Sequence, residues 1–198
     1  YAKKLQNKLT RDKVKNLILQ LSIFSEEFLG TFSLGGSGSL LLRDMAAALP
    51  IEEREFMVFQ FGDVRHATRE TRHCLHQLLR SYGSTSASVK AGATAALETW
   101  ASHGIHEEEA AENFWGQLII VFEQYNRDRE LLGLRPLPLV FFTHHLAHTA
   151  KKYVDCFERA LRSIPAIADY NEIDWRRGAK MALDAVHLFS RGLARYVV

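Results

Sequence analysis

The sequence predicts an all-α protein, an irregular bundle of about seven helices arranged as helical hairpins. Strand signals are scarce, because no run of alternating apolar and polar residues is bounded by Asn-Gly or Asp-Gly. Apolar residues instead recur at spacings of three and four, the pattern that places them on one side of a helix. No repeat of fixed period occurs in the 198 residues, which disfavours a regular solenoid.

The first helix is expected to begin after Thr10, a residue type that caps helix N-termini well. It carries a broad apolar face, and such a face needs two neighbouring elements or a groove to cover it. We expect this face to dock the helix on the rest of the chain. The residues predicted to make that intramolecular contact are Leu17, Leu21, Phe24, Phe28 and Phe32.

Five consecutive glycines and serines, Gly35-Gly36-Ser37-Gly38-Ser39, follow this helix. Gly/Ser runs behave as flexible coil, and glycine inside a helix costs about 1 kcal/mol relative to alanine, so residues 35–39 are predicted to form a loop. The chain is thereby divided into a docking helix segment, 1–34, and a helical body, 40–198. One hypothesis is that the run is an engineered connector that shortens a long loop or fuses a peptide to its receptor. Because the chain begins at Tyr1, we also expect it to be part of something larger.

The body is predicted to contain six further helical segments. Proline and glycine signals separate them, because the residue before a proline leaves the helical region and glycine is favoured just after a helix end. The pattern leaves open whether the segment 51–81 is one helix or is broken near Gly62. The segments are 40–49, 51–81, 87–102, 107–132, 139–163 and 172–197.

Composition narrows the function classes. The formal net charge is +2, but residues 1–34 carry +3 and the body carries −1, so a nucleic-acid partner is disfavoured and a protein partner is expected. The longest apolar runs fall well short of the roughly 18 residues that a membrane span requires. With only Cys74 and Cys156, no disulfide framework is indicated, and an intracellular location in cytoplasm or nucleus is expected.

Basic residues recur along the third predicted helix. Arg65, Arg69, Arg72, His76 and Arg80 follow one another at spacings of four, three, four and four, which would place all five on one stripe. Arginines in such an array can form forked hydrogen bonds with carboxylates or phosphates. The sequence therefore predicts a partner-binding stripe, although a solvated face partly neutralised by Glu70 would show the same pattern.

Histidines supply the alternative function, a helical bundle that holds a ligand. His144 and His148 are four residues apart, the spacing at which two imidazoles on one helix can share a metal. A haem ligand could also come from His144, His145, His148 or His187. Two further metal ligands are not indicated, so no cofactor is predicted.

Motifs for catalysis are not found in the sequence. There is no nucleophile elbow, and the Gly/Ser run lacks the Lys-Ser/Thr that follows a phosphate-binding loop. Trp100, Trp115 and Trp175 are interpreted as core anchors. The sequence therefore favours a non-enzymatic protein-interaction domain, a scaffold, adaptor or complex subunit, that uses helix docking and the arginine stripe.

Overall fold

A computed structural model describes residues 9–29, 37–49, 62–102, 113–144, 146 and 169–197. Within them the chain forms helices and no strand, so the all-α prediction is confirmed. A π-helical segment, Ser25–Leu29, extends the first helix, and a 3₁₀ turn covers Val64–His66. The α-helices of this part of the chain are α1 (Arg11–Phe24), α2 (Ser37–Ala47), α3 (Arg69–Tyr82), α4 (Ala87–Ser102), α5 (Phe114–Leu131), α6 (Val140–His144) and α7 (Glu172–Val197).

Helix α1 lies at the centre of the hydrophobic core. Thr10 caps it as expected, accepting a hydrogen bond from the Lys13 backbone N–H. Every residue from Leu17 to Ser25 is buried, and α1 contacts α2, α3 and α7. From Leu17 to its end, helix α1 is therefore enclosed by its neighbours, whereas its first turn reaches solvent.

The predicted docking face of this helix is buried where the structure describes it. Leu17, Leu21, Phe24 and Phe28 all belong to the core, and the Phe24 ring stacks on Phe189 of α7 at a centroid distance of 4.6 Å. Phe32 lies outside the described residues. The apolar face is thus buried from Val14 through Phe28.

Two polar side chains of α1 bind the segment before α3. The Gln20 amide donates to the carbonyl oxygen of His66 and accepts from the backbone N–H of Thr68. The Ser22 hydroxyl accepts from the backbone N–H of Gly62. Buried polar groups are stable only when hydrogen-bonded, so these contacts satisfy both the side chains and the loop backbone. They fix the position from which α3 begins.

The prediction that the whole Gly/Ser run is a loop is wrong for Ser37, Gly38 and Ser39. These residues form the first turn of α2, while Gly35 and Gly36 lie outside the described residues. Serine is favourable at helix starts, and the buried residues Leu42 and Met45 hold the helix on α1 and α6. Tertiary packing therefore outweighs the weak helix preference of one glycine.

Helices α3, α4 and α7 form a tightly packed three-helix layer. The α4 and α7 backbones approach so closely that a Cβ on Gly178 would overlap the carbonyl oxygen of Val89. A Cβ on Gly92 would likewise overlap the carbonyl oxygen of Trp175. Glycine is required at both positions, and the pair sets the distance between the two helices.

The end of α5 is joined to its neighbours by buried polar side chains. Asn126 accepts from the Leu137 backbone N–H and donates to the Leu137 carbonyl oxygen. The Arg129 guanidinium, buried beside Tyr125, donates to the carbonyl oxygens of Arg135 and Ala48. A cation at the C-terminus of α2 is favourable for the helix dipole. These bonds anchor the α5–α6 connector to α2.

Candidate functional site

Helix α3 presents a basic face to solvent. We use the name α3 basic face for its exposed basic residues, which are Arg69, Arg72, His73, His76 and Arg80. Thr68 caps the helix by accepting from the Thr71 N–H, and the opposite side buries Cys74, Leu75 and Leu78. Because the apolar side is fixed in the core, the basic side is held outward along the whole helix.

Arg65 does not belong to this helix, so the prediction of one five-residue stripe is wrong at that position. It lies in the 3₁₀ turn, where its guanidinium pairs with Asp63 at 2.6 Å. Ala67 and Thr68, both with extended backbone, separate this turn from α3. Hydrogen bonds from the Arg65 side chain and backbone lower the pKa of Asp63 to about 2.

Glu70, the only acidic residue of α3, does not neutralise the basic face. Its side chain is directed away from solvent, with 8 % of the residue exposed, and it pairs with Arg195 near the end of α7. Gly192 leaves room for the Glu70 side chain, since a Cβ there would lie 2.8 Å from the Glu70 Cβ. Glu70 therefore does not supply the partial neutralisation of the alternative interpretation, because its ion pair is with Arg195.

The arginines of the α3 basic face have no ionic partner among the described residues. Arg69, Arg72 and Arg80 make no ion pair with any carboxylate in that part of the chain. On α7, by contrast, Arg176 pairs with Glu172 at 2.5 Å and Arg177 pairs with Asp174 at 3.0 Å. Arg176 and Arg177 are thus compensated by acids of their own helix, whereas the arginines of the α3 basic face are not.

Two of these arginines are also placed against the helix dipole. Arg69 and Arg72 fall in the first turn of α3, beside the unpaired N–H groups at the positive end of the dipole. A cation there is disfavoured by about 0.3–1 kcal/mol, and an acid is favoured by a similar amount. Helix stability therefore does not account for the arginines at these positions.

An apolar side chain borders the basic face. Leu79 is 38 % exposed and follows Arg72 by seven residues, which is about two helical turns. Leu79 was not predicted as part of the site, although its spacing from Arg72 is visible in the sequence. On the His73 side of the basic face, the Gln77 side-chain nitrogen Nε2 lies 3.4 Å from the His73 ring nitrogen Nε2 and forms a hydrogen bond with it.

The histidine site of the alternative function is only partly within the described residues. His144 ends α6 and is exposed, while His145 and His148 lie outside the described residues. His187 is exposed on a different helix, α7. In the part of the chain that the structure describes, no group of three His, Cys, Asp or Glu side chains is arranged to hold a metal.

Cys74 is a core residue, as predicted for the cysteines; Cys156 is outside the described residues. Burial raises the pKa of the Cys74 thiol to about 12. Because the thiolate is the nucleophilic form, this sulfur is protonated and inert near neutral pH.

The tryptophans divide into two environments. Trp115 is buried, as predicted for a core anchor, whereas Trp100 and Trp175 are half-buried. Trp100 and Phe114, with ring centroids 5.1 Å apart, form one wall of an open cleft of about 500 Å³. The cleft is lined further by Gln117, Leu183, Asp184, Val186, His187 and Ser190. Sequence reasoning did not find it, because it depends on how α4, α5 and α7 meet.

Comparison with protein-family models, with curated proteins and with solved structures finds no match for this chain. Helices long and apolar enough to cross a membrane are not found in the described residues.

Proposed function

We propose that this chain is a non-enzymatic helical interaction module that binds an acidic protein partner through the α3 basic face. The observation that carries the proposal is an exposed, uncompensated row of cations on a helix whose only acid is buried and paired with Arg195. Charged interface residues of this kind steer encounter with a partner of opposite charge and set specificity. The module belongs to a larger intracellular assembly in this proposal.

Two features support a binding role over a purely structural one. The arginines at the start of α3 oppose the helix dipole, so they carry a small energetic penalty in the isolated chain. An acidic partner would remove that penalty on binding. The opposite face of α3 is already packed in the core, so its backbone is fixed before a partner binds. Only the arginine side chains then lose conformational freedom on association.

The test is charge reversal with a matched control. Arg69→Glu combined with Arg72→Glu changes the charge of the face by four units without touching a buried atom. The control, Arg135→Glu with Arg191→Glu, makes the same charge change at exposed arginines outside α3. Both variants and the natural sequence are used as bait for proteins from a cell extract, and the captured proteins are quantified by mass spectrometry.

We expect a set of acidic proteins to be captured by the natural sequence and by the control but lost from the α3 variant. Thermal stability of the α3 variant should not fall, because glutamate in the first turn is favourable for the dipole. Equal capture by all three baits would remove the α3 basic face from the proposal.

A further inference from the structure

We infer that the partner segment recognised by the α3 basic face is itself an α-helix, carrying acidic residues at spacings of three and four and lying along α3. This inference rests on the proposed function and adds the secondary structure and charge pattern of the partner. It follows from the arrangement of the cations on α3 and from the exposed leucine at their edge.

The basic residues of α3 form a nearly straight line. At about 100° of rotation per residue, Arg69, His76 and Arg80 lie within about 20° of one direction on the helix. Arg72 and Leu79 form one edge of this line, about 60–80° away, and His73 forms the other edge. All of these residues are exposed, so the line is accessible from one side along its length.

The line also has the axial repeat of a helix. From Arg69 to Arg80 it extends about 16 Å: about two turns separate Arg69 from His76, with Arg72 and His73 at the edges between them, and about one turn separates His76 from Arg80. A second helix alongside has the same rise per turn, so acids at three and four spacing stay opposite the cations over the full length. An extended strand, which advances about 3.3 Å per residue, presents carboxylates with a different repeat and falls out of register.

The exposed leucine favours a protein helix over nucleic acid. Leu79 lies on the same edge of the line as Arg72, about two turns further along, and offers an apolar contact that matches an apolar residue on a partner helix. No Tyr, Phe or Trp occurs among the exposed residues of α3, so the face has no aromatic ring on which a base could stack. The combination of cations and an aliphatic edge suits an amphipathic acidic helix.

The experiment measures binding of the full 198-residue chain to designed peptides. The probe is a helix-forming peptide of about 20 residues with glutamates at three and four spacing on one face and leucines on the adjoining edge. The matched control has the same composition, with the glutamates spread evenly around the helix. Duplex DNA of similar length and charge is the third ligand, and affinities are measured by fluorescence anisotropy at low and physiological salt.

We expect the patterned peptide to bind about tenfold more tightly than the scrambled peptide, since several aligned ion pairs each contribute a modest amount. Binding should weaken with salt and be lost in the Arg69→Glu, Arg72→Glu variant, and should be reduced in the milder Arg69→Gln, Arg72→Gln variant.

Equal affinity for the two peptides, or no binding of either, overturns the inference of a helical partner. The proposed function would still be tested by the capture experiment, because an acidic partner that is not helical would also be lost on charge reversal. Tighter binding of duplex DNA than of the patterned peptide also overturns the inference, provided that the same two substitutions abolish it.

Discussion

Replacing Gly178 with alanine should separate α4 from α7 and destabilise the protein. The added Cβ would overlap the carbonyl oxygen of Val89 and lie 2.8 Å from its carbonyl carbon and 2.9 Å from its Cα. Ordinary contacts of a Cβ are 3.4–4 Å, and all three atoms belong to the backbone of α4. No side-chain rotation can relieve the overlap, so one helix must move by about 1 Å relative to the other.

The magnitude follows from two opposing effects. Overpacking of a close helix contact costs about 1–3 kcal/mol, and a clash with backbone belongs at the upper end of that range. Alanine regains about 1 kcal/mol through its higher helix propensity. The net expectation is a loss of about 2 kcal/mol in the free energy of unfolding, or about 4–8 °C in Tm for a chain of this size.

The assay is urea unfolding followed by circular dichroism, with Arg191→Ala as the control at an exposed position of the same helix. The control should change stability by less than about 0.5 kcal/mol. Gly92→Ala should behave like Gly178→Ala, and the double variant should lose less than the sum, because the first substitution already separates the helices. A Gly178→Ala protein as stable as the natural one would refute the close approach of α4 and α7.

Three further predictions concern the core, a turn and the buried thiol. Leu17→Ala should lose about 2–5 kcal/mol of stability because the residue is 0 % exposed, whereas Leu131→Ala, 86 % exposed, should lose less than about 0.5 kcal/mol in the same unfolding assay. The Asp63 carboxyl should titrate near pH 2 in an NMR experiment, and its pKa should rise toward 3.8 in Arg65→Ala. Since the folded pKa is depressed, Asp63 stabilises the fold above its unfolded pKa, and that contribution should disappear as the pH falls through about 2. Cys74 should resist alkylation by iodoacetamide at pH 8 in the folded protein and react once urea unfolds it, as judged by peptide mass; modification in the folded state would contradict its burial.

The fold was predictable from the sequence where helix periodicity and capping residues agree. Thr10 caps α1 at the expected place, and α4 has the predicted bounds. The helix that contains Trp115 begins later than expected, at Phe114. The Asn113 side chain caps it by accepting from two backbone N–H groups, those of Trp115 and Gly116.

The errors arise where tertiary contacts override local preference. The Gln20 amide and the Ser22 hydroxyl hold a turn between Gly62 and Thr68, which removes Arg65 from α3, and neither contact is visible in the spacing of basic residues. The withdrawal of Glu70 depends on Arg195, more than a hundred residues away along the chain.

The four residues of the basic stripe that belong to α3 could be placed from the sequence, because the apolar residues of this helix fix which side faces the core. The absence of ion pairs for the α3 arginines could not be predicted, because the net charge of the chain does not show which cations are paired. The open cleft beside Trp100 likewise depends on three helices and has no signature in any one of them.

The most direct test of the α3 basic face is a charge-swap measurement. A peptide with lysines in place of the patterned glutamates should bind the Arg69→Glu, Arg72→Glu variant and fail to bind the natural sequence, the reverse of the acidic peptide. Restored affinity within about tenfold of the natural pair is expected if the two helices meet through these residues. Failure of the lysine peptide to bind the reversed variant, while the natural pair binds, would place recognition outside α3 and contradict the account.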